Sequence, residues 1–354
     1  MERQGITLVT GAGGFIGGRI VEMFHLAGAR RVRAGIHRWS SCARIGRFPV
    51  DIVALDLTDR TTLSRALEGV NEIVHCAKGN REVTVEGTRL LLEAAIAAGV
   101  HRFVHLSTAE VYGAADGTFT EQSECTPTGR EYGDMKLEAE HVCREFSERG
   151  LALTILRPPI VYGPFSTWWT VDLARKLISG RWGTMGARGE GICNLLYVDD
   201  LVRAIRIALE HPRAAGATFN VNGKETTSWN SYFVKLALAL GLPPLAEHSS
   251  PRAAMRANIW EPVRRLGAFL KRNYLGTLKA IAARCRLVDT MMRATERRLK
   301  TAPSRAELAL FGRKALFPAD KICSELGFVP AVSIDEGTRL SAEWLRHEGF
   351  LLGR

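Results

Sequence analysis

The first seventeen residues constrain the fold more than any other stretch. The apolar run Ile6-Thr-Leu-Val-Thr10 passes directly into Gly11-Ala-Gly-Gly-Phe-Ile-Gly17, and an apolar-periodic segment then continues to about Ala27. A buried strand, a turn spaced G-x-x-G-x-x-G and a helix, in that order, leave few architectures open. Glycine permits the tight bend, and a missing side chain lets the backbone approach a pyrophosphate. The helix behind the turn offers free N–H groups and the positive end of its dipole. A purely structural glycine turn is the alternative, and the placement between strand and helix disfavours it.

The same alternation continues. Short apolar runs predict strands over about 32–36, 51–55, 73–77, 102–106 and 153–157, with helices through Leu90-Leu-Leu-Glu-Ala-Ala and from about Tyr132 to Glu148. Strands separated by helices imply an α/β, doubly wound parallel sheet (a Rossmann fold) covered on both faces, with a smaller C-terminal substrate domain. Residues 1–165 read as the dinucleotide-binding domain, and a segment at about 190–223 returns to it. Residues 166–354 read mainly as the substrate domain, including a basic helical insertion at 252–316. A cofactor is expected across the carboxyl ends of the strands.

Composition narrows the classes. The 354 residues are 46% hydrophobic, enough for a sizeable core. Seven scattered cysteines without a C-x-x-C pair suit a reducing compartment and predict neither a disulfide framework nor a metal site. A strand that begins almost at once predicts no signal peptide, and no uninterrupted apolar run is long enough for a bilayer. The expected location is cytoplasmic, with the inner face of a membrane as a variant.

Two positions bear on the cofactor. NAD is usually held by an acid at the end of the second strand, but here Gly35-Ile-His-Arg38 carries none. His37 and Arg38 could meet a 2′-phosphate, which favours NADP within an NAD(P) assignment; a solvated basic loop is the other reading. Asp56, after the third strand, is read either as a partner for the adenine amino group or as a helix cap.

Tyr132-Gly-Asp-Met-Lys136 places a phenol and an ammonium one helical turn apart on one face. A phenol ionises near pH ~10, and a neighbouring ammonium together with a nicotinamide's positive charge is expected to lower that value, making Tyr132 an acid or base for a substrate oxygen. The pair gains meaning from Leu106-Ser-Thr-Ala-Glu-Val-Tyr-Gly113, which brings hydroxyls to the carboxyl edge of the sheet.

These segments, together with Leu156-Arg-Pro-Pro-Ile-Val-Tyr-Gly-Pro164 and Tyr197-Val-Asp-Asp-Leu201, resemble the extended short-chain dehydrogenase/reductase superfamily. Its NAD-dependent epimerase/dehydratase and 3β-hydroxysteroid dehydrogenase branches are the nearest. The resemblance spans residues 5 to about 223 and resumes near Phe317 to Trp344. It implies Tyr132 as acid/base, Lys136 as ribose anchor and pKa modifier, and Thr108 as the hydroxyl that orients the substrate oxygen, with Glu110 beside them. It further implies cofactor contacts from Gly11, Gly14, Phe15, Ile16 and Gly17, and from Asp56, Leu57, Ala77, Lys136 and Pro159. Three departures concern substrate: Ala109 stands where 4,6-dehydratases carry an aspartate, Ile160 where many sugar-nucleotide enzymes carry Asn, and Cys193 where they often carry Arg.

The net charge of +11 is concentrated. Residues 252–316 hold 16 Lys/Arg and 4 Asp/Glu, a net of +12, which leaves −1 for the rest. Apolar residues recur there at steps of three or four, from Ile259, Val263, Leu266 and Leu270 through Tyr274, Leu278, Ile281 and Cys285 to Val288 and Met292. This predicts amphipathic helices, packed on the core or lying on an anionic membrane. No nucleic-acid partner is expected.

The expected function is an NAD(P)-dependent oxidoreductase or epimerase acting on a secondary alcohol or ketone of a sugar nucleotide. A lipid or polyprenyl-linked substrate and a non-catalytic dinucleotide-binding scaffold are the alternatives. The expected partners are a small-molecule substrate and a second copy of the chain.

Overall fold

The computed structural model describes residues 5–28, 30–248 and 301–350, and between the last two ranges residues 251, 254, 255, 257–264, 266, 267, 269 and 273. The described chain divides into two compact units, one of 1–166, 194–225 and 315–333, the other of 167–193, 226–314 and 334–354.

The first unit is built on seven strands: β1 (Ile6–Thr10), β2 (Arg31–Ile36), β3 (Asp51–Ala54), β4 (Val70–His75), β5 (Arg102–Leu106), then, past the short β6 (Gly117–Thr118), β7 (Leu153–Arg157) and, past β8 (Ile160–Tyr162), β9 (Ile192–Cys193) and β10 (Leu195–Tyr197), β11 (Thr218–Asn220). The sheet order is β11-β7-β5-β4-β1-β2-β3, and every pairing in it is parallel. Leu8, Val9, Ile73, Val74 and Phe103 have no exposed surface. Helices cover both faces, so these strands read as continuous apolar runs rather than alternating ones. The flanking helices are α1 (Phe15–Ala27), α2 (Arg60–Leu67), α3 (Gly87–Ala97), α4 (Glu131–Glu148) and, after α5 (Asp172–Ile178), α6 (Val198–Glu210). Helices α2, α3 and α4 lie side by side, and α1 packs on α6.

The strand order reverses between β1 and β4, and the register carries the ends of the strands to one edge. Thr10 lies opposite Gly35 and His75, His75 opposite His105, Leu106 opposite Leu156, and Arg157 opposite Asn220. β4 stops at His75, two residues before the sequence reading ends it. Thr10 Oγ1 takes the N–H groups of Cys76 and Ala77 at 3.2 and 3.3 Å, so the backbone turns out of the ladder there.

Two acids of the Tyr197-Val-Asp-Asp segment tie this unit together. Asp199 takes a bidentate bond from Arg19 of α1 at 2.6 and 2.7 Å. Asp200, with no exposed surface, accepts from the amides of Ala331 and Val332 at 2.9 and 3.0 Å.

In the second unit α5 and α7 (Trp229–Ala239) pack together, and α7 packs on a helix at Ile334–His347. Its centre is aromatic: Trp182, Trp229, Phe233 and Phe311 meet with centroids 4.7–6.2 Å apart. The helix Arg305–Gly312 opens on a full capping box between Ser304 and Glu307. Of the predicted basic helices, 273 and the described positions among 251–269 are helical. Leu270, Tyr274, Leu278, Ile281, Cys285, Val288 and Met292 lie outside the described residues. Among the described ones, the stripe does not pack on a core: Ile259 is 60% exposed and Leu266 58%.

Helix α4 is held against the sheet by a buried ion pair. Glu140, fully buried, receives Arg157 Nε at 2.9 Å and Nη2 at 2.6 Å, Ser107 Oγ at 2.5 Å and Arg144 Nη2 at 2.6 Å. Arg157 also donates to the Tyr112 hydroxyl at 2.8 Å, which donates to Asn220 Oδ1 at 2.7 Å. Breaking such a pair leaves a buried charge undercompensated. Arg157→Met is expected to lower stability by about 3 kcal/mol, read as a lower urea midpoint at unchanged slope. A loss below about 1 kcal/mol would mean that Ser107 and Arg144 suffice for Glu140.

Candidate active site

The glycine loop follows β1 and opens α1. Gly11 sits at φ +66°, and a Cβ there would lie 2.9 Å from the Ala77 backbone. A Cβ on Gly17 would lie 2.3 Å from the Gly11 carbonyl oxygen. The protein's own packing therefore requires these two glycines. Gly14 differs: it is exposed, its φ of −84° suits any residue, and a Cβ would meet only Gly11 O, at 3.2 Å. Gly14 is also the N-cap of α1 and makes no side-chain capping bond. The first-turn amides, those of Phe15 and Ile16 among them, thus lack the side-chain acceptor that usually covers them. Bare backbone in front of an uncapped helix N-terminus fits a pyrophosphate, and with it a dinucleotide.

His37 and Arg38 follow β2 directly, and both are exposed. The sequence reading missed the short turn that follows, Trp39–Cys42: Ser41 lies so near the loop that a Cβ on Gly13 would come within 2.5 Å of Ser41 Oγ. Asp56 does not cap α2. Its carboxylate accepts from the amide and hydroxyl of Thr58 at 2.9 and 2.7 Å, and these bonds hold it below its usual range. The cap is Asp59, which accepts from the Thr61 amide. Leu57 is buried in the core, and its Cβ would crowd any side chain at Gly87. Ala77 and Pro159 are half-buried at the ends of β4 and β7.

The polar centre forms where β4 and β5 end beneath α4. Thr108 is 7% exposed and caps a short turn at Ala109–Tyr112. Glu110 stands exposed on that turn. Gly133 lets α4 press onto it, since a Cβ there would lie 3.0 Å from Glu110 O. Lys136, 3% exposed, donates to the Leu106 carbonyl oxygen at 2.7 Å. Thr108, Glu110, Tyr132 and Lys136 are thus gathered at one edge of the sheet.

Their ionisation departs from the expected pattern. Burial pushes the Tyr132 phenol up to about 12, the Glu110 carboxylate adds to the rise, and the Thr108 hydroxyl pulls the other way. Burial likewise pushes Lys136 down to about 8, with Lys78 contributing. The expected lowering of the phenol is therefore absent from the protein alone: desolvation and the Glu110 carboxylate outweigh the Thr108 hydrogen bond. Beneath them, burial drives His75 down to about 3, so it is neutral; it bonds Thr10 and Thr88 at 2.7 and 2.9 Å. Cys193 is fully buried and presents no polar group where an Arg contact was sought. Among the described residues no cluster of metal-ligating side chains occurs, and no helix is long and apolar enough to cross a membrane.

A model of the NAD-dependent epimerase/dehydratase family matches residues 7–222. Sterol demethylase protein B of Methylococcus capsulatus is 30% identical over 281 residues, 76% of this chain and 83% of that protein. N-acetyl-alpha-D-glucosaminyl-diphospho-ditrans,octacis-undecaprenol 4-epimerase of Escherichia coli O157:H7 is 26% identical over 250 residues, 66% of this chain and 72% of that protein. UDP-glucuronic acid 4-epimerase of Bacillus cereus, solved in complex with NAD, superposes with a TM-score of 0.72 at 20% identity, covering 97% of this chain and 96% of that one; at this identity the likeness concerns the fold.

Burying a lysine ammonium destabilises the folded state; the penalty is fully present below the lowered value of about 8 and is lost as pH rises toward the ordinary value near ~10.4. Stability should therefore rise with pH through this window. Lys136→Met is expected to stabilise the protein at pH 7 by roughly 1–3 kcal/mol, the gain fading above pH ~10. Denaturation midpoints of both proteins across pH check this; a variant less stable at pH 7 contradicts it.

Proposed function

The chain belongs to the NAD-dependent epimerase/dehydratase family, and on that premise we propose that it is an NAD(P)-dependent oxidoreductase or epimerase of a secondary alcohol or its ketone, carried on a sugar nucleotide. The observation behind this reading is the meeting, at one edge of one sheet, of an uncapped helix N-terminus with buried Thr108 and Lys136 and the half-buried Tyr132. When bound, a nicotinamide dinucleotide supplies the acceptor or donor of a hydride. The first-turn amides of α1 hold its pyrophosphate, with Gly14 leaving room. Lys136 anchors the ribose, and Asp56, Leu57, Ala77 and Pro159 line the rest. Thr108 orients the substrate oxygen, and Tyr132 takes or returns its proton. His37 and Arg38, exposed past β2 where no carboxylate stands, favour a 2′-phosphate.

Tyr132→Phe removes only the phenolic oxygen, so it is expected to abolish turnover and leave coenzyme binding near the parent's. Titrating this variant with NADPH and NADH reads both parts of the proposal. Near-parent turnover defeats the mechanism, and tighter NADH binding places His37 and Arg38 in solvent.

One observation favours a second reading, a lipid- or polyprenyl-linked substrate. Met255, Ile259, Val263, Leu266 and Phe269 recur at steps of four and three on helical positions, and all are 36–60% exposed. They lie in the segment that holds the chain's excess positive charge. Two relatives are named for a sterol and for an undecaprenol-linked sugar. An apolar stripe with basic flanks suits the surface of an anionic bilayer, where each Lys or Arg contributes roughly 1 kcal/mol. Sedimentation with anionic vesicles should carry the protein down at low salt and release it as salt rises, with neutral vesicles retaining little. Equal behaviour with both kinds leaves the soluble sugar nucleotide.

A further inference from the structure

The loop after β4 brings a second cation to Tyr132. Its ends are fixed: the Ala77 amide is bonded to Thr10 Oγ1 at 3.3 Å and the Gly79 amide to Thr84 Oγ1 at 3.1 Å. Between them Lys78 is exposed, and its Nζ lies 5.0 Å from the centroid of the Tyr132 ring. Among the described residues no carboxylate pairs with Lys78, although the chain's other cations near carboxylates are widely paired. An unpaired ammonium held over the ring of the acid/base has a chemical consequence. A ring face attracts a cation, and a phenolate ring attracts it more strongly than a phenol. A positive charge that prefers the ionised form lowers the cost of forming it.

We propose that Lys78 acts through Tyr132, its ammonium stabilising the phenolate that accepts the substrate's hydroxyl proton. The proton moves from the substrate oxygen to the phenolate oxygen and back, and Lys78 neither gains nor loses one. The proposal rests on Tyr132 being the acid/base. It answers a need set by the site: Lys136 is buried, spends one N–H on the Leu106 carbonyl and is itself pushed down. An ammonium in contact with water carries its charge without that desolvation. Glu110, on the turn after β5, faces Tyr132, and Lys78 lies over its ring; Cys143 and Glu140 on α4, and Cys76 and Lys78 after β4, face Lys136. Glu110 opposes phenolate formation, and the Lys78 charge over the ring works against it.

The test reads the phenol directly and needs no substrate. Biosynthetic replacement of the six tyrosines by 3,5-difluorotyrosine acidifies each phenol and gives it a fluorine signal sensitive to ionisation. The signal lost in Tyr132→Phe identifies residue 132. In Lys78→Gln its transition is expected to move up by about one pH unit, in Lys78→Arg to stay at the parent position, and in Lys78→Glu to move up further. The other five signals report that the fold is unchanged. A transition unmoved in Lys78→Gln, or moved equally in Lys78→Arg, overturns the role of Lys78. Because no turnover enters the measurement, it is independent of whether Tyr132→Phe abolishes activity, and the two ideas fail separately.

Discussion

Glu140 has no exposed surface, and the placement of the site follows from that carboxylate having to be satisfied. A charge in the core survives only if opposite charge and hydrogen bonds compensate its lost hydration. Arg157 supplies two bonds from β7, Ser107 one from the end of β5, and Arg144 one from α4 itself. Glu140 stands one helical turn from Lys136 and two from Tyr132, on the same face of α4. The bonds that neutralise Glu140 therefore also set the depth and rotation of that helix against the sheet. Lys136 consequently meets the Leu106 carbonyl, one residue before Ser107 and two before Thr108. A requirement of the core thus becomes the geometry of the chemistry.

A second set of polar groups fixes the floor. Thr10 and His75 are paired in register across β1 and β4, and their side chains bond directly at 2.7 Å. The same Thr10 hydroxyl turns β4 outward at Cys76. One buried hydroxyl thereby ends a strand, aims the loop that carries Ala77 and Lys78, and leaves the helix of the glycine loop free to present its amides. His75 can serve here only as a neutral ring, which burial ensures. The neighbouring His105 has neither ring nitrogen hydrogen-bonded, and it too is driven well below its ordinary range.

Much of this was legible in the sequence. Six of the seven strands of the parallel sheet, all but the short β11, and helix α4 are carried by periodicity, and the glycine loop by spacing, because each depends on neighbours within a few residues. What was not legible depends on partners far along the chain. Glu140 and Arg157 looked like ordinary members of a helix and a motif, and only packing shows that each is buried against the other. Lys78 gave no signal, since nothing local ties it to Tyr132, 54 positions later in the sequence. Asp56 reads as a possible cap in the sequence, but the hydrogen bond from Thr61 shows that Asp59, three residues on, is the cap. The ionisation of Tyr132 went astray for a related reason. Sequence spacing reports which charges are close, whereas the sign of the shift depends on how much water the fold removes.

That removal of water acts oppositely on the two partners of α4. It disfavours the charged form of each, so the phenol rises to about 12 while the ammonium falls to about 8. The free protein thus holds both groups readily in the states least useful for taking a proton from an alcohol: a neutral phenol above a lysine easily stripped of charge. Since desolvation leads both shifts, the buried ammonium that would stabilise the phenolate is itself pushed toward neutrality. Correction requires positive charge that does not share the burial, or charge that arrives with the reactants. Glu110, exposed and negative, makes the requirement larger. The rim of the site, where side chains still touch water, is where such charge can stand, and residues there, outside the Tyr-Lys spacing, can tune a reaction whose bond changes they never touch.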